Sequence, residues 1–238
     1  MVVGEDGRVT SRGRDSLRYA LATVVLVATL AALVLTGATE RLDEAAVTAA
    51  TDVTRAYPGL RAALIVLEEV TRPVWLYAVA TVVCAVTAAW GRVPRRALAA
   101  WLTMMAIWGS AALLKLLVGR VRPTVTDAVW DHGGLSFPSG HATNTTAMTL
   151  GVTLLLWPLV GVAVRRLLVV TSLVLVTVVV LDRVFLGVHY PSDVVAGMVL
   201  GGGLMLAGSR LWPSTDTVTD DGGAQQGQSL AWRARPNE

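Results

Sequence analysis

Six long apolar runs, 19–39, 73–90, 97–114, 142–164, 167–181 and 194–209, restrict what this chain can become more than any other feature. A bilayer core offers no water to backbone N–H and C=O groups, so runs of this length read as helices that satisfy those groups internally. Composition agrees: 54% of residues are hydrophobic, only 16% are charged, and the mean hydropathy is +0.59. A soluble domain is excluded on that balance. The expected fold is all-α, a polytopic membrane protein of six transmembrane helices.

The first run holds 21 uncharged residues behind a basic start with Arg8, Arg12, Arg14 and Arg18. A signal peptide is the competing reading, but its apolar core is shorter, so this span is expected to be retained. Runs 97–114, 167–181 and 194–209 reach 18 residues or fewer, at or under the length a spanning helix needs. Each stops at a charged residue: Lys115, the Asp182–Arg183 pair, or Asp193. Those residues therefore belong to the helix ends. Between the first two spans, 40–72 mixes acids and arginines with Leu60, Leu64 and Leu67 at helical spacing. This predicts an amphipathic helix on the membrane surface or capping the bundle, with a solvated connecting helix as the alternative.

The arginines of the short loops fix an expected orientation. Arg92, Arg95, Arg96, Arg165, Arg166 and Arg210, with the four N-terminal ones, fall on one side of six spans. That side is read as cytoplasmic, with both termini on it, in the plasma membrane. The chain then divides into a cytoplasmic segment 1–18, a membrane domain 19–211 and a disordered tail 212–238 rich in Ser, Thr, Asp, Gly and Gln. Gly197, Gly201, Gly202 and Gly203 form a small-residue stripe suited to close helix packing. Cys84 is the single cysteine, mid-run, so no internal disulfide forms and a buried inert thiol is expected. A net charge of +3 with scattered arginines and no aromatic interleaving excludes nucleic acid as a partner.

The remaining charge gathers at three places on the opposite side. One is KLLVGRVRP at 115–123, one PSGH at 138–141, and one DRVFLGVHYPSD at 182–193. Lys115 is the only lysine and stands seven residues before Arg122, about two helical turns, so both project from one face. Arg183 adds a second planar fork suited to phosphate oxygens. Pro138, Ser139 and Gly140 open the fourth run, where backbone N–H groups of a helix start attract anions and Gly140 lets the backbone approach closely. His189 and Asp193 are four residues apart. A carboxylate there fixes the imidazole tautomer and leaves the other nitrogen as nucleophile. His189 would attack phosphorus to form a phosphohistidine, and His141 would protonate the leaving oxygen. His132 has no such company and is expected in solvent, Asp127 and Asp131 are ordinary loop acids, and no metal or other cofactor is required.

These three pieces together resemble the type 2 phosphatidic acid phosphatase family, whose pattern is Lys, six residues, Arg-Pro; then Pro-Ser-Gly-His; then Ser-Arg, five residues, His, three residues, Asp. The matching residues are Lys115, Arg122 and Pro123; Pro138, Ser139, Gly140 and His141; and Arg183, His189 and Asp193. The resemblance implies phosphate binding by Lys115, Arg122 and Arg183 with Ser139 and Gly140 assisting, His141 as general acid, His189 as nucleophile and Asp193 as its orienting partner. It implies a metal-independent phosphatase of membrane lipid phosphates. A polyprenyl diphosphate such as undecaprenyl diphosphate is the first expectation, and phosphatidylglycerophosphate or phosphatidic acid the alternative. Asp182 stands where the pattern has serine, and is expected to point away from the site or to pair with an arginine such as Arg120. Two other classes compete. The related vanadium haloperoxidases are soluble, and a lipid transporter or flippase would tolerate His189→Ala.

Overall fold

The computed structural model describes residues 6–124 and 134–215, with side chains from residue 11. The tail beyond 215 and the loop carrying Asp127, Asp131 and His132 lie outside the described residues. Eight α-helices follow in order among the described residues: α1 (Asp6–Leu35), α2 (Glu40–Ala56), α3 (Pro58–Val70), α4 (Pro73–Trp90), α5 (Pro94–Val118), α6 (Gly140–Leu156), α7 (Val162–Phe185) and α8 (Pro191–Ser209). Proline opens α3, α4, α5 and α8, where its fixed φ suits the helix and its missing N–H costs nothing. Threonine hydroxyls inside the helices turn back on their own backbone, as Thr81 does on Tyr77 O at 2.7 Å and Thr103 on Ala99 O at 2.7 Å. A polar side chain is thereby satisfied without water.

α6 lies at the centre, against α4, α5, α7 and α8, and α1 covers the far side of α8. The glycine stripe on α8 makes this possible. A Cβ at Gly197 would stand 2.7 Å from Ser139 O, and one at Gly201 would land on the carbonyl of Thr143, so only hydrogen fits at this crossing. One apolar cluster joins α4, α5, α6 and α8 through Tyr77, Ala80, Cys84, Met104, Leu155 and Met205. A second, built from Val27, Ala111, Phe137, Ala196 and Leu200, sits beneath the predicted site. The outward faces stay apolar: Leu21, Val24 and Val25 of α1, Val79 and Val82 of α4, and Leu167, Val170 and Leu173 of α7 are all exposed. Such continuous apolar exposure fits lipid and not water.

Two expectations change. The segment 40–72 is two helices rather than one, because Tyr57 adopts φ −125° and Pro58 restarts the helix. Both pack on α7. Asp43, Val47, Ala50 and Thr54 of α2 turn inward together, and Leu64 and Ile65 of α3 rest on Leu186 and Val188. The run 142–164 is also divided. Pro158 lies in a 3₁₀ turn (Trp157–Leu159), α6 ends before it, and Arg165 and Arg166 fall in the first turns of α7. Among the described residues five helices, α1, α4, α5, α7 and α8, are long and apolar enough to cross a membrane. α6 has 17 residues, of which Thr143, Asn144, Thr145, Thr149 and Thr153 are buried polar ones.

The helices alternate so that the three motifs meet at one end. At the other, Arg96 donates to Leu154 O and Pro213 O, Arg165 to Trp157 O and Arg210 to Tyr19 Oη.

Candidate active site

The site is assembled from four helix ends. Lys115 closes α5, and its Nζ donates to Leu135 O at 2.8 Å and Ser136 O at 3.4 Å. The chain beyond α5 pairs with the strand-like approach to α6, through a bridge between Val121 and Leu135 and a bond from Ser136 N to Arg120 O at 2.7 Å. A cis Phe137–Pro138 peptide leads into the start of α6. There the Ser139 hydroxyl accepts from Ala142 N at 3.4 Å, and Ser139 N donates to Asp193 O at 2.9 Å. Asn144 donates to Gly140 O at 2.8 Å and accepts from Tyr77 Oη at 2.8 Å, which braces that first turn from α4.

Gly187, at φ +72°, makes the turn between α7 and α8 that a side chain would resist. Around it Arg122 Nη1 donates to Val188 O at 2.9 Å, and His189 N donates to Arg183 O at 3.2 Å. Arg183 is 1% exposed. Its guanidinium pairs with Asp182, lies 3.2 Å from Glu68 Oε1 of α3, and reaches His141 Nδ1 at 3.4 Å. Because guanidinium only donates, Nδ1 of His141 is the acceptor, and the ring proton sits on Nε2. Arg122 Nε is buried with no hydrogen-bond partner.

His189 is 2% exposed. The nearest oxygen of Asp193 stands 3.6 Å from its Nδ1, beyond hydrogen-bond reach. Ser136 fills that gap, with its hydroxyl 2.5 Å from Asp193 Oδ2 and 3.3 Å from His189 Nδ1. The hydroxyl donates to the carboxylate, its oxygen faces Nδ1–H, and Nε2 keeps its lone pair. Burial pulls the His189 imidazole down to about 3; Asp193 opposes this while the charges of Arg122 and Lys115 add to it. The ring is held neutral, as a nucleophile must be. Arg122 also falls below its usual value, first through burial and then through the charge of Arg183.

All eight predicted side chains and backbone positions come together here. Arg183 reaches His141, the charges of Lys115 and Arg122 act on His189, Ser139 and Gly140 form the helix start beside Lys115, and Asp193 stands behind His189. Asp182 pairs with an arginine as expected, but the partner is its neighbour Arg183 and not Arg120, and the pair is buried at the end of α7. Arg120 lies on the other flank, where Nη1 reaches Asp193 Oδ1 at 2.7 Å and Nη2 reaches Asp43 Oδ2 at 2.8 Å. Burial weakens that guanidinium's hold on its proton, but its bonds to the two carboxylates outweigh this and raise it.

Sequence reasoning misses Arg120, Ser136, Asp43 and Glu68. For Asp43 a signal existed, since it shares a helical face with Val47, Ala50 and Thr54, and a carboxylate on the buried face of an amphipathic helix asks for a partner. Ser136, in an irregular loop, has no such pattern around it.

Comparison with known proteins adds three findings. The family model described as the PAP2 superfamily matches residues 96–215, half of the 238-residue chain. Among curated relatives, decaprenylphosphoryl-5-phosphoribose phosphatase of Mycobacterium tuberculosis is 46% identical over 94 residues, 38% of this chain and 47% of that one. Lipid A 1-phosphatase of Rhizobium etli is 36% identical over 104 residues, 39% of this chain and 40% of its own length. The matched stretch thus spans less than half of either relative. The solved transmembrane PAP2 type phosphatidylglycerolphosphate phosphatase from Bacillus subtilis superposes with a TM-score of 0.70 over 92% of this chain and 98% of that one, at 20% identity. It shares the fold. With the motif residues of all three segments gathered at one end of that fold, this chain belongs to the PAP2 superfamily.

Proposed function

We propose that the protein is an integral-membrane phosphatase that hydrolyses a phosphate carried by a polyprenyl lipid through a phosphohistidine intermediate. The observation that carries this reading is the meeting of Lys115, Arg122 and Arg183 with His141 and with a neutral His189 backed by Ser136 and Asp193. The three cations hold the phosphate oxygens, and the N–H groups at the start of α6 assist. His189 Nε2 donates its electron pair to phosphorus as the bond from phosphorus to the leaving oxygen breaks, and His141, entering as the imidazolium, passes its Nε2 proton to that oxygen and is left as the neutral ring. Water then attacks the phosphohistidine. His141, now the base, takes a proton from that water, and inorganic phosphate leaves with His189 restored.

Polyprenyl diphosphate, giving the monophosphate, is the substrate expected from the sequence. The relative named for decaprenylphosphoryl-5-phosphoribose favours a second form of the same class, a phosphate on a sugar joined to a polyprenyl phosphate. Six spans, with α6 the shortest, both termini in the cytoplasm and the site facing outward, complete the reading; the arginines at the end opposite the site support it. Phosphate release by the purified protein in EDTA, across polyprenyl diphosphate, polyprenyl phosphosugar phosphate, phosphatidylglycerophosphate and phosphatidic acid, tests it. We expect turnover without added metal, fastest on a polyprenyl substrate, and loss of several orders of magnitude in His189→Gln. Turnover that needs added metal, or that survives His189→Gln, overturns the mechanism. Fastest release from a glycerophospholipid overturns the substrate class.

A further inference from the structure

We propose that Asp43 of the surface helix α2, acting through Arg120, is a positioning residue for the Asp193–Ser136–His189 relay. The inference rests on the histidine mechanism above. Asp43 lies outside the three motifs and Arg120 is one of the unspecified residues between Lys115 and Arg122, and both are drawn into the site by contacts that order Asp193.

Arg120 spends its whole fork on this task. Nη1 donates to Asp193 Oδ1 and to Ser192 Oγ, each at 2.7 Å, and Nη2 donates to Asp43 Oδ2 at 2.8 Å. Its planar face lies 4.0 Å from the ring centre of Tyr190, which fixes the plane of the fork. Asp43, 3% exposed, answers on both oxygens: Oδ2 accepts from Ser192 Oγ at 2.5 Å and Oδ1 from Ser192 N at 3.1 Å. The first turn of α8 is therefore clamped from outside, one residue before Asp193. The carbonyl of Arg120 meanwhile accepts from Ser136 N at 2.7 Å. One residue thus places both partners of the His189 ring, the carboxylate through its side chain and the hydroxyl through its backbone.

Charge supports the same division of labour. Asp193 alone would attract a proton onto the buried imidazole; Arg120 tempers that attraction, and Asp43 limits how far Arg120 does so. The other charges that act on His189 are Lys115 from α5 and Arg122 from the segment after it; beyond them stand Arg183 of α7 with its partners Asp182 and Glu68 of α3, and His141 reached through Arg183. They do not change in the variants below.

Two readouts test this on the full chain in detergent. The first is turnover of the best lipid phosphate of the panel. Arg120→Gln and Asp43→Asn should each lower kcat about 10- to 100-fold with KM nearly unchanged, as expected for a group that orients another. The double variant should be far from additive. The second needs no turnover: the protonation of His189, followed by ¹⁵N-histidine NMR. Arg120→Gln should move it to higher pH and Asp43→Asn to lower pH, opposite directions that a loss of packing would not produce. Arg120→Lys and Asp43→Glu keep the charges, so they should leave that titration in place while turnover still falls; they also serve if the neutral variants do not fold. Wild-type turnover in the Arg120 and Asp43 variants beside a dead His189→Gln, or titrations that move together, overturns this inference alone. An active His189→Gln overturns the mechanism beneath it.

Discussion

Ser136 is the side chain on which the orientation of His189, the proposed nucleophile, turns, because among the described residues its hydroxyl stands between Nδ1 of His189 and Asp193. Ser136→Ala should lower kcat about 10- to 100-fold, whereas Ser136→Thr, which keeps the hydroxyl, should recover part of it; equal rates in all three proteins would remove the bridge from the mechanism. The neutral ring also has a consequence for folding. The folded pKa of His189 lies near 3, below the roughly 6.5 of an unfolded histidine. The unfolded chain therefore binds a proton that the folded one refuses, so the group's contribution is full above about pH 6.5 and is lost as pH falls toward 3, by at most about 1.4 kcal/mol per unit. Melting temperatures between pH 7 and 5 should fall more steeply for wild type than for His189→Gln, and parallel curves would contradict this. Asp182, on the site's other flank, offsets part of the Arg183 charge that a phosphate would meet. Asp182→Ser should tighten inhibition by vanadate several-fold while lowering stability, on the order of 3 kcal/mol for a broken buried pair. Inhibition that weakens instead would show that Asp182 holds Arg183 in place more than it masks it.

Among the elements, the crossing of α6 and α8 sets the spacing of the whole site, since Ser139 at one helix start bonds the backbone of Asp193 at the other. Gly201→Ala would press a methyl onto the Thr143 carbonyl and should cost about 1–3 kcal/mol of stability, read as a lower melting temperature together with reduced turnover. A variant as stable as wild type would mean the helices can part without harm. Much at this scale was legible. The motif spacings place Lys115, His141, Arg183, His189 and Asp193 at or beside helix ends because charge is tolerated there and not in the lipid core; Arg122, expected on the helix face of Lys115, instead lies past the end of α5, because Gly119 at φ +67° stops that helix. The break at Tyr57–Pro58 could be read from proline alone. What the sequence hides are contacts between elements far apart in the chain, such as Asp43 with Arg120 and Glu68 with Arg183. Periodicity says that Asp43 faces inward but does not name what it meets.

For the molecule as a whole, the orientation carries a direct test. In a Cys84→Ser background, Thr124→Cys at the site end and Arg92→Cys at the opposite end are both exposed positions. A membrane-impermeant thiol reagent on intact cells should label the first and reach the second only after permeabilisation; the reverse pattern would put the site in the cytoplasm. The number of spans was the part of the architecture least readable from hydropathy, because α6 keeps its threonines and Asn144 turned inward against its neighbours. Those buried hydroxyls give α6 a poor signal for leaving the translocation channel on its own. It should be retained there until α7 and α8 emerge and then enter lipid with them as a hairpin-wrapped group, so that a nascent chain halted after residue 160 would leave this segment exposed to carbonate extraction or proteolysis while the preceding helices stay embedded. If the site works as proposed, its hollow is completed only at the end of synthesis, and a partly made chain has no finished site to offer the lipids around it.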